Sequence, residues 1–220
     1  MSTVAANLER VKKTIEDLTG DPAAVVIVGV TKSQPLPRVQ EAVDAGLARL
    51  ANNYAQEGEQ LMRSLAGYKG RWDFIGHIQS KKVKYLSDYD CVQSLDRLEI
   101  ASLLDKRLTS IGKRLSVLVE VNVGEEKQKS GIAPDELENF LKHLEGYSAL
   151  KVVGLMAMPP FLNPVERRRP FFQAMRKLYD KFKGEYSFEF LSMGTSDDYR
   201  IAVQEGANMI RLGTLLFGKR

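Results

Sequence analysis

Apolar residues follow two alternating spacings along the chain. Short, nearly continuous runs, the first being Val25-Val26-Ile27-Val28-Gly29-Val30-Thr31, are separated by stretches in which apolar side chains recur every three to four positions. The runs read as strands buried on both faces, and the stretches as helices with one packed face. Strands are predicted at residues 25–30, 47–51, 72–75, 91–94, 116–122, 152–156, 187–191 and 209–212. Helices are predicted at 4–19, 35–46, 54–66, 79–86, 96–111, 134–145, 166–183 and 197–206. Pro35 in a first turn, Asp96 and Ser196 as N-caps, and Gly46 and Gly206 as C-terminal stops punctuate the helices. The segments Ala42-Val43-Asp44-Ala45-Gly46-Leu47 and Ala202-Val203-Gln204-Glu205-Gly206-Ala207 repeat one theme, a helix end, a glycine stop and entry into a strand.

Eight strands alternating with helices predict a single (β/α)8 TIM barrel over residues 1–220, with an extra helix at its N-terminus. An open doubly wound α/β sheet is the alternative. No Gly-x-Gly-x-x-Gly follows the first strand, which removes the main reason to prefer a dinucleotide-binding sheet. The segment from Pro159 to Pro170 reads as a long βα loop, either bordering a site or simply lying on the surface.

Composition narrows the function. The formal net charge of +4 suits an anionic small molecule but falls short of the clustered basic stripe of a nucleic-acid binder, so no nucleic acid is expected. No apolar run is long enough to span a membrane. Glu9, Glu16 and Asp17 within the first amphipathic stretch argue against a targeting peptide. The single cysteine, Cys91, allows no intramolecular disulfide and is expected to be a buried reduced thiol, as in a cytoplasmic protein. Without a His/Cys cluster at ligand spacing, no metal is predicted.

In a barrel the strand ends converge on one face, and here those positions are polar: Lys32, Asn52, Asn53, His77, Gln79, Ser94, Asp96, Asn122, the run Ser192 to Asp198, and Arg211 with Gly213 and Thr214. Lys32 leaves a β-branched run at a point where its amine can lose hydration, which lowers an ammonium pKa and makes a nucleophile; the plain alternative is a strand-end lysine reaching water. The loops after the seventh and eighth strands offer hydroxyls, glycines and a helix start, the ingredients of an anion cradle as well as of ordinary caps and turns. A phosphate cradle facing a lysine suits an aldehyde that carries phosphate. Pyridoxal 5′-phosphate and a phosphosugar of a Schiff-base aldolase both satisfy that geometry.

At these residues the chain resembles the pyridoxal phosphate homeostasis proteins, the YggS/PROSC family, which share the alanine racemase N-terminal-like barrel. The likeness runs through Val28-Gly29-Val30-Thr31-Lys32, Asn53-Tyr54-Ala55-Gln56-Glu57, Phe74-Ile75-Gly76-His77-Ile78-Gln79-Ser80-Lys81-Lys82, Lys129-Ser130-Gly131-Ile132, Gly154-Leu155-Met156, Ser192 to Asp198 and Arg211 to Gly218. The resemblance implies that Lys32 forms an internal aldimine with pyridoxal 5′-phosphate and that Asn53 lies beside its ring. It further implies that Ser192, Gly194, Ser196, Gly213 and Thr214 contact the phosphate, with Met193 in the same cofactor-binding run, and that Arg211 faces the pyridine nitrogen. Such a permanently charged donor disfavours protonation of that nitrogen and restrains carbanion chemistry. Where the family often has Gly-Glu before the asparagine, this chain has Ala51-Asn52, and Thr195 stands where methionine is frequent. His77 is tempting as a general base, although a strand-end histidine more often positions a loop. Lys129 is a secondary aldehyde acceptor by resemblance, or a solvated loop cation.

Racemisation needs acid/base groups on both faces of the substrate α-carbon, and the lysine serves one. In alanine racemase the partner is a tyrosine from a C-terminal β domain, while this sequence ends just past the eighth strand. The resemblance therefore implies a monomeric cofactor carrier for intracellular vitamin B6 homeostasis, buffering the aldehyde and delivering it to apo-enzymes, rather than an enzyme. A weak amino-acid racemase or Schiff-base lyase is the competing class.

Overall fold

The computed structural model describes residues 3–218. Eight parallel strands, β1 (Val26–Val30), β2 (Arg49–Asn52), β3 (Arg71–Phe74), β4 (Cys91–Leu95), β5 (Leu115–Val121), β6 (Leu150–Ala157), β7 (Phe190–Ser192) and β8 (Met209–Leu212), pair in chain order and close into a barrel through β1 and β8. The helices are α1 (Val4–Thr19), α2 (Leu36–Asp44), α3 (Ala55–Ser64), α4 (Leu98–Ser110), α5 (Leu137–Leu144), α6 (Arg169–Tyr186), α7 (Tyr199–Gln204) and α8 (Thr214–Phe217). The predicted TIM barrel with its additional first helix is thus the architecture observed.

Helix α1 is capped by Thr3, whose hydroxyl accepts from the Ala6 amide, and it buries Val4, Leu8, Val11 and Ile15. It packs on α2, α7 and α8, outside the seam where β8 meets β1. Asn7 ties it down by donating to the Leu216 carbonyl at 2.8 Å.

Several elements differ from the sequence expectation, among them α8, which it did not include. The predicted helix at 79–86 is a 3-10 helix over Ser80–Asp88. Its rise of about 2.0 Å per residue, against about 1.5 Å for an α-helix, lets a short connection reach from the end of β3 back to the start of β4. The expected N-caps also move. Arg97 and Asp198 hold the cap positions of α4 and α7, without side-chain cap bonds, whereas Asp96 reaches the Gly131 amide and Ser196 reaches the loop after β8. Gly46 and Gly206 do stop their helices, each at positive φ.

Alternation along the strands separates two cores. One side chain set packs against the helices; the other, Val28, Ala51, Cys91, Leu118, Val153, Met156 and Met209, fills the inside of the barrel. The inner parity also brings in polar groups. Arg49, Asp73, Gln93, Ser192 and Arg211 form a connected series inside an otherwise apolar barrel.

Candidate functional site

The inward parity of β1 runs Val26, Val28, Val30 and continues past the strand end to Lys32. The same period of two carries β2 from Ala51 to Asn53 and places Arg211 inward on β8. These residues meet at the C-terminal mouth of the barrel, around a cavity of about 320 Å³. Its walls are Val30 on β1 with Lys32 and Gln34 after it, Asn53 after β2, Ile75 after β3, Met156 on β6 and Met158 after it, Thr195, Ser196 and Asp197 after β7, and Arg211 on β8 with Gly213 and Thr214 after it.

Lys32 is half-buried, with its Nζ 5.4 Å from the centre of the exposed Tyr54 ring. Arg211 is buried and uses its donors within the barrel: Nη1 to the Ser192 carbonyl at 2.9 Å and to Ser192 Oγ at 2.7 Å, Nη2 to the Ala157 carbonyl at 2.9 Å. Burial pulls its pKa down to about 10, with Glu120 and Asp198 acting in the opposite direction, so it remains a cation at neutral pH. Glu120, on the inward side of β5, is pushed up to about 7 by burial and by Asp96, against the pull of Arg211. Asn53 Oδ1 is buried and without a hydrogen-bond partner among the described residues. Close approach of the chain behind Asn53 needs a glycine: a Cβ at Gly76 would lie 1.9 Å from the Asn53 carbonyl oxygen.

The loop after β7 is built from within. Thr195 donates to Asp198 Oδ1 through its amide at 2.7 Å and its hydroxyl at 3.0 Å, and Asp198 Oδ2 pairs with buried Arg168 at 2.7 Å. Ser196 Oγ accepts from the amides of Gly213 at 3.2 Å and Leu215 at 3.1 Å, stapling this loop to the one after β8.

Of the expected site residues, the cavity thus brings together Lys32, Asn53, Ser196, Arg211, Gly213 and Thr214. Ser192, Met193 and Gly194 are not among its walls. Ser192 lies inside the barrel below the mouth, bonded to Arg211 and Gln93; Met193 faces the helix layer; Gly194, at φ +94°, passes under α7, where a Cβ would come within 2.6 Å of Ala202. His77 lines a neighbouring cavity of about 210 Å³ that shares Asn53, and its Nδ1 lies 3.1 Å from Ser130 Oγ in the loop after β5. Lys129 pairs with Glu126 at 2.5 Å and donates to the Pro159 carbonyl at 3.0 Å, away from the walls of the Lys32 cavity. Ile75 follows Asp73 at the inward parity of β3, whereas the two methionines do not follow from parity, because an irregularity in β6 moves the inward face from Val153 to Met156.

The family described as alanine racemase, N-terminal domain, matches residues 1–220. A pyridoxal phosphate homeostasis protein of Aquifex aeolicus is 37% identical over 97% of this chain and 95% of its own length. One from Pseudomonas aeruginosa is 37% identical over 100% of this chain and 97% of its own. The solved structure of PipY from Synechococcus elongatus PCC7942 with PLP bound superposes with a TM-score of 0.83 at 26% identity, covering 94% of this chain and 100% of that one. The chain therefore belongs to the alanine racemase N-terminal domain family, in the branch of the pyridoxal phosphate homeostasis proteins.

Proposed function

We propose that this protein holds pyridoxal 5′-phosphate at the Lys32 cavity and serves in vitamin B6 homeostasis by storing and releasing the cofactor. The observation that carries this reading is the convergence of an amine, Lys32, a buried acceptor, Asn53 Oδ1, and a buried cation, Arg211, on one cavity rimmed by the Ser196–Gly213 staple. The donor set fits the cofactor: a primary amine for the aldehyde, an unpartnered acceptor for the phenolic hydroxyl, and hydroxyls and loop amides for the phosphate. When bound, pyridoxal 5′-phosphate supplies an aldehyde that condenses reversibly with a primary amine. Lys32 supplies that amine, and Ser196, Gly213 and Thr214 bind the phosphate. Ser196 already gathers two backbone amides there, which lowers the cost of ordering the cradle. Arg211, a cation with donors only, would offer the ring nitrogen a donor and no acceptor.

Carriage is favoured over catalysis by the chemistry of the walls. Besides Lys32, the titratable groups lining the cavity among the described residues are Asp197 and Arg211; neither histidine nor tyrosine is among its walls, and Tyr54 beside Lys32 is exposed, on the same side as the lysine's own approach. The lone, buried thiol of Cys91 suits a reducing compartment such as the cytoplasm. Apo-enzymes that use the cofactor are the recipients in this reading, and the carrier acts as a single-domain monomer.

The test is direct. Cofactor is added to the purified protein, borohydride fixes it, and peptide mapping by mass spectrometry locates the label. Label on Lys32 is expected, and Lys32→Ala abolishes it; label on Lys129 alone, or none, overturns the reading. Sustained turnover of a single amino-acid enantiomer in chiral chromatography establishes the racemase instead. Recovery of an apo-transaminase mixed with loaded protein measures delivery.

A further inference from the structure

We propose that Gln93 and Asp73 are positioning residues for Arg211: the Asp73 carboxylate orients the Gln93 amide, Gln93 accepts the Ser192 hydrogen bond and so fixes the hydroxyl, and Ser192 thereby holds its lone pairs in a set direction toward the guanidinium at the cavity wall. This deepens the reading in which Arg211 meets the ring nitrogen of the cofactor, and rests on it.

The polar series runs across the barrel interior through four strands. Asp73 on β3 is fully buried, and its Oδ2 accepts from Gln93 Nε2 at 2.5 Å. Gln93 on β4 is fully buried as well, and its Oε1 accepts from Ser192 Oγ at 2.7 Å. Ser192 on β7 then accepts from Arg211 Nη1 on β8 at 2.7 Å.

Each link has a single workable polarity. A serine hydroxyl has one proton and two lone pairs. With that proton directed to Gln93, one lone pair points to Arg211; if Gln93 presented its NH2 group instead, that group and the guanidinium would take both lone pairs, and the buried serine proton would lose its acceptor. What prevents the amide from flipping is its other end. A flipped Gln93 would set Oε1 against the Asp73 carboxylate and against the Met209 sulfur, which lies 3.3 Å from Nε2 in the observed orientation. Burial pushes the Asp73 carboxyl up to about 6, with Arg49 and the Gln93 hydrogen bond opposing, and its Oδ2 is the acceptor that the Gln93 amide faces. Arg49 on β2, 3.5 Å from Asp73 Oδ2, closes the far end.

The other contacts of Arg211 cannot substitute for this control. Its two carbonyl acceptors, on Ser192 and Ala157, are fixed by the barrel backbone, and among the described residues no carboxylate lies within ion-pair distance of it. A buried cation held by neutral acceptors alone is sensitive to each of them. The Ser192 hydroxyl is the acceptor that can rotate, and Gln93 with Asp73 stops it.

The experiment compares Gln93→Met and Asp73→Asn with Leu118→Val, an inner-core variant outside the series. Two readouts are used. In the cofactor-free protein, NMR follows the Arg211 guanidinium protons, identified by their loss in Arg211→Lys. In the loaded protein, the absorption band of the bound cofactor is recorded, with its attachment to Lys32 checked by borohydride and peptide mapping. Gln93→Met and Asp73→Asn are expected to speed exchange of the Arg211 protons by roughly tenfold, the scale of one lost hydrogen bond, and to shift the band while the label stays on Lys32. Leu118→Val is expected to lower the melting temperature without either change. Unaltered Arg211 signals in Gln93→Met, or equal changes in Leu118→Val, overturn the proposal. Absence of label in the wild type sinks the cofactor reading alone, because the NMR arm still decides whether Gln93 and Asp73 position Arg211.

Discussion

Arg211 Nη1 lies 2.7 Å from Ser192 Oγ and 2.9 Å from the Ser192 carbonyl oxygen, so one residue of β7 holds the same guanidinium nitrogen twice. The carbonyl survives any substitution at 192, and the hydroxyl does not. Ser192→Ala is therefore expected to cost about 1.5 kcal/mol, the low end for a hydrogen bond to a charged group, measured as a lower urea midpoint at unchanged slope.

Ser196 acts on the rim rather than the floor. Its Oγ gathers the Gly213 and Leu215 amides, and Ser196→Ala leaves both without that acceptor. Affinity for pyridoxal 5′-phosphate, read by fluorescence titration, is expected to fall by roughly tenfold, about one charge-assisted hydrogen bond. Stability changes little, because water can reach the exposed Leu215 amide.

The loop after β7 hangs on the buried Arg168–Asp198 pair, with the Phe161 ring 4.5 Å from the guanidinium carbon. Removing the arginine strands a buried carboxylate. Arg168→Ala is expected to destabilise the fold by about 3–5 kcal/mol, seen in thermal unfolding. Asp198→Asn should cost less, since the amide still accepts from Thr195.

Glu120 gives the pH dependence a sign. Burial and Asp96 raise its native pKa to about 7, above the unfolded value of 4.5, so the native state binds more protons between those two pH values. Stability from this group is fully present below pH 4.5 and is lost as pH rises through about 7. Urea unfolding of the wild type should show midpoints falling across that window. Glu120→Gln should flatten the fall, and an unchanged slope in that variant would contradict the assignment.

Cys91 lies inside the barrel, and burial pushes its thiol well above the ordinary range. A disulfide reagent should label it only as fast as the barrel opens, so labelling under native conditions reports global unfolding. Fast labelling would place the thiol elsewhere.

Much of the site was legible in the chain. Lys32 follows Val28 and Val30 at the same parity, and Arg211 follows Met209, so both inward positions come from counting by two along apolar runs. The same count, applied to Phe190 and Ser192, puts Ser192 inside the barrel rather than on the phosphate rim. As a motif the run Ser192 to Asp198 reads as one block, whereas in the fold its residues split between the interior, the helix layer and the cavity. Asp198 and Arg168 carried no local signal, because their partnership joins segments thirty residues apart.

The amino-acid sequence by itself determined the alternation of strands and helices, the glycine stops at Gly46 and Gly206, and the inward parity of the lysine and the arginine, since each depends on neighbours a few positions away. Only the closed barrel decided which strand-end groups share a wall, and that Asp73, Gln93, Ser192 and Arg211 form one directed series. Those contacts depend on strand stagger, including the register shifts where β5 meets β4 and β6, and stagger is set by packing across the whole cylinder rather than by any single run of residues.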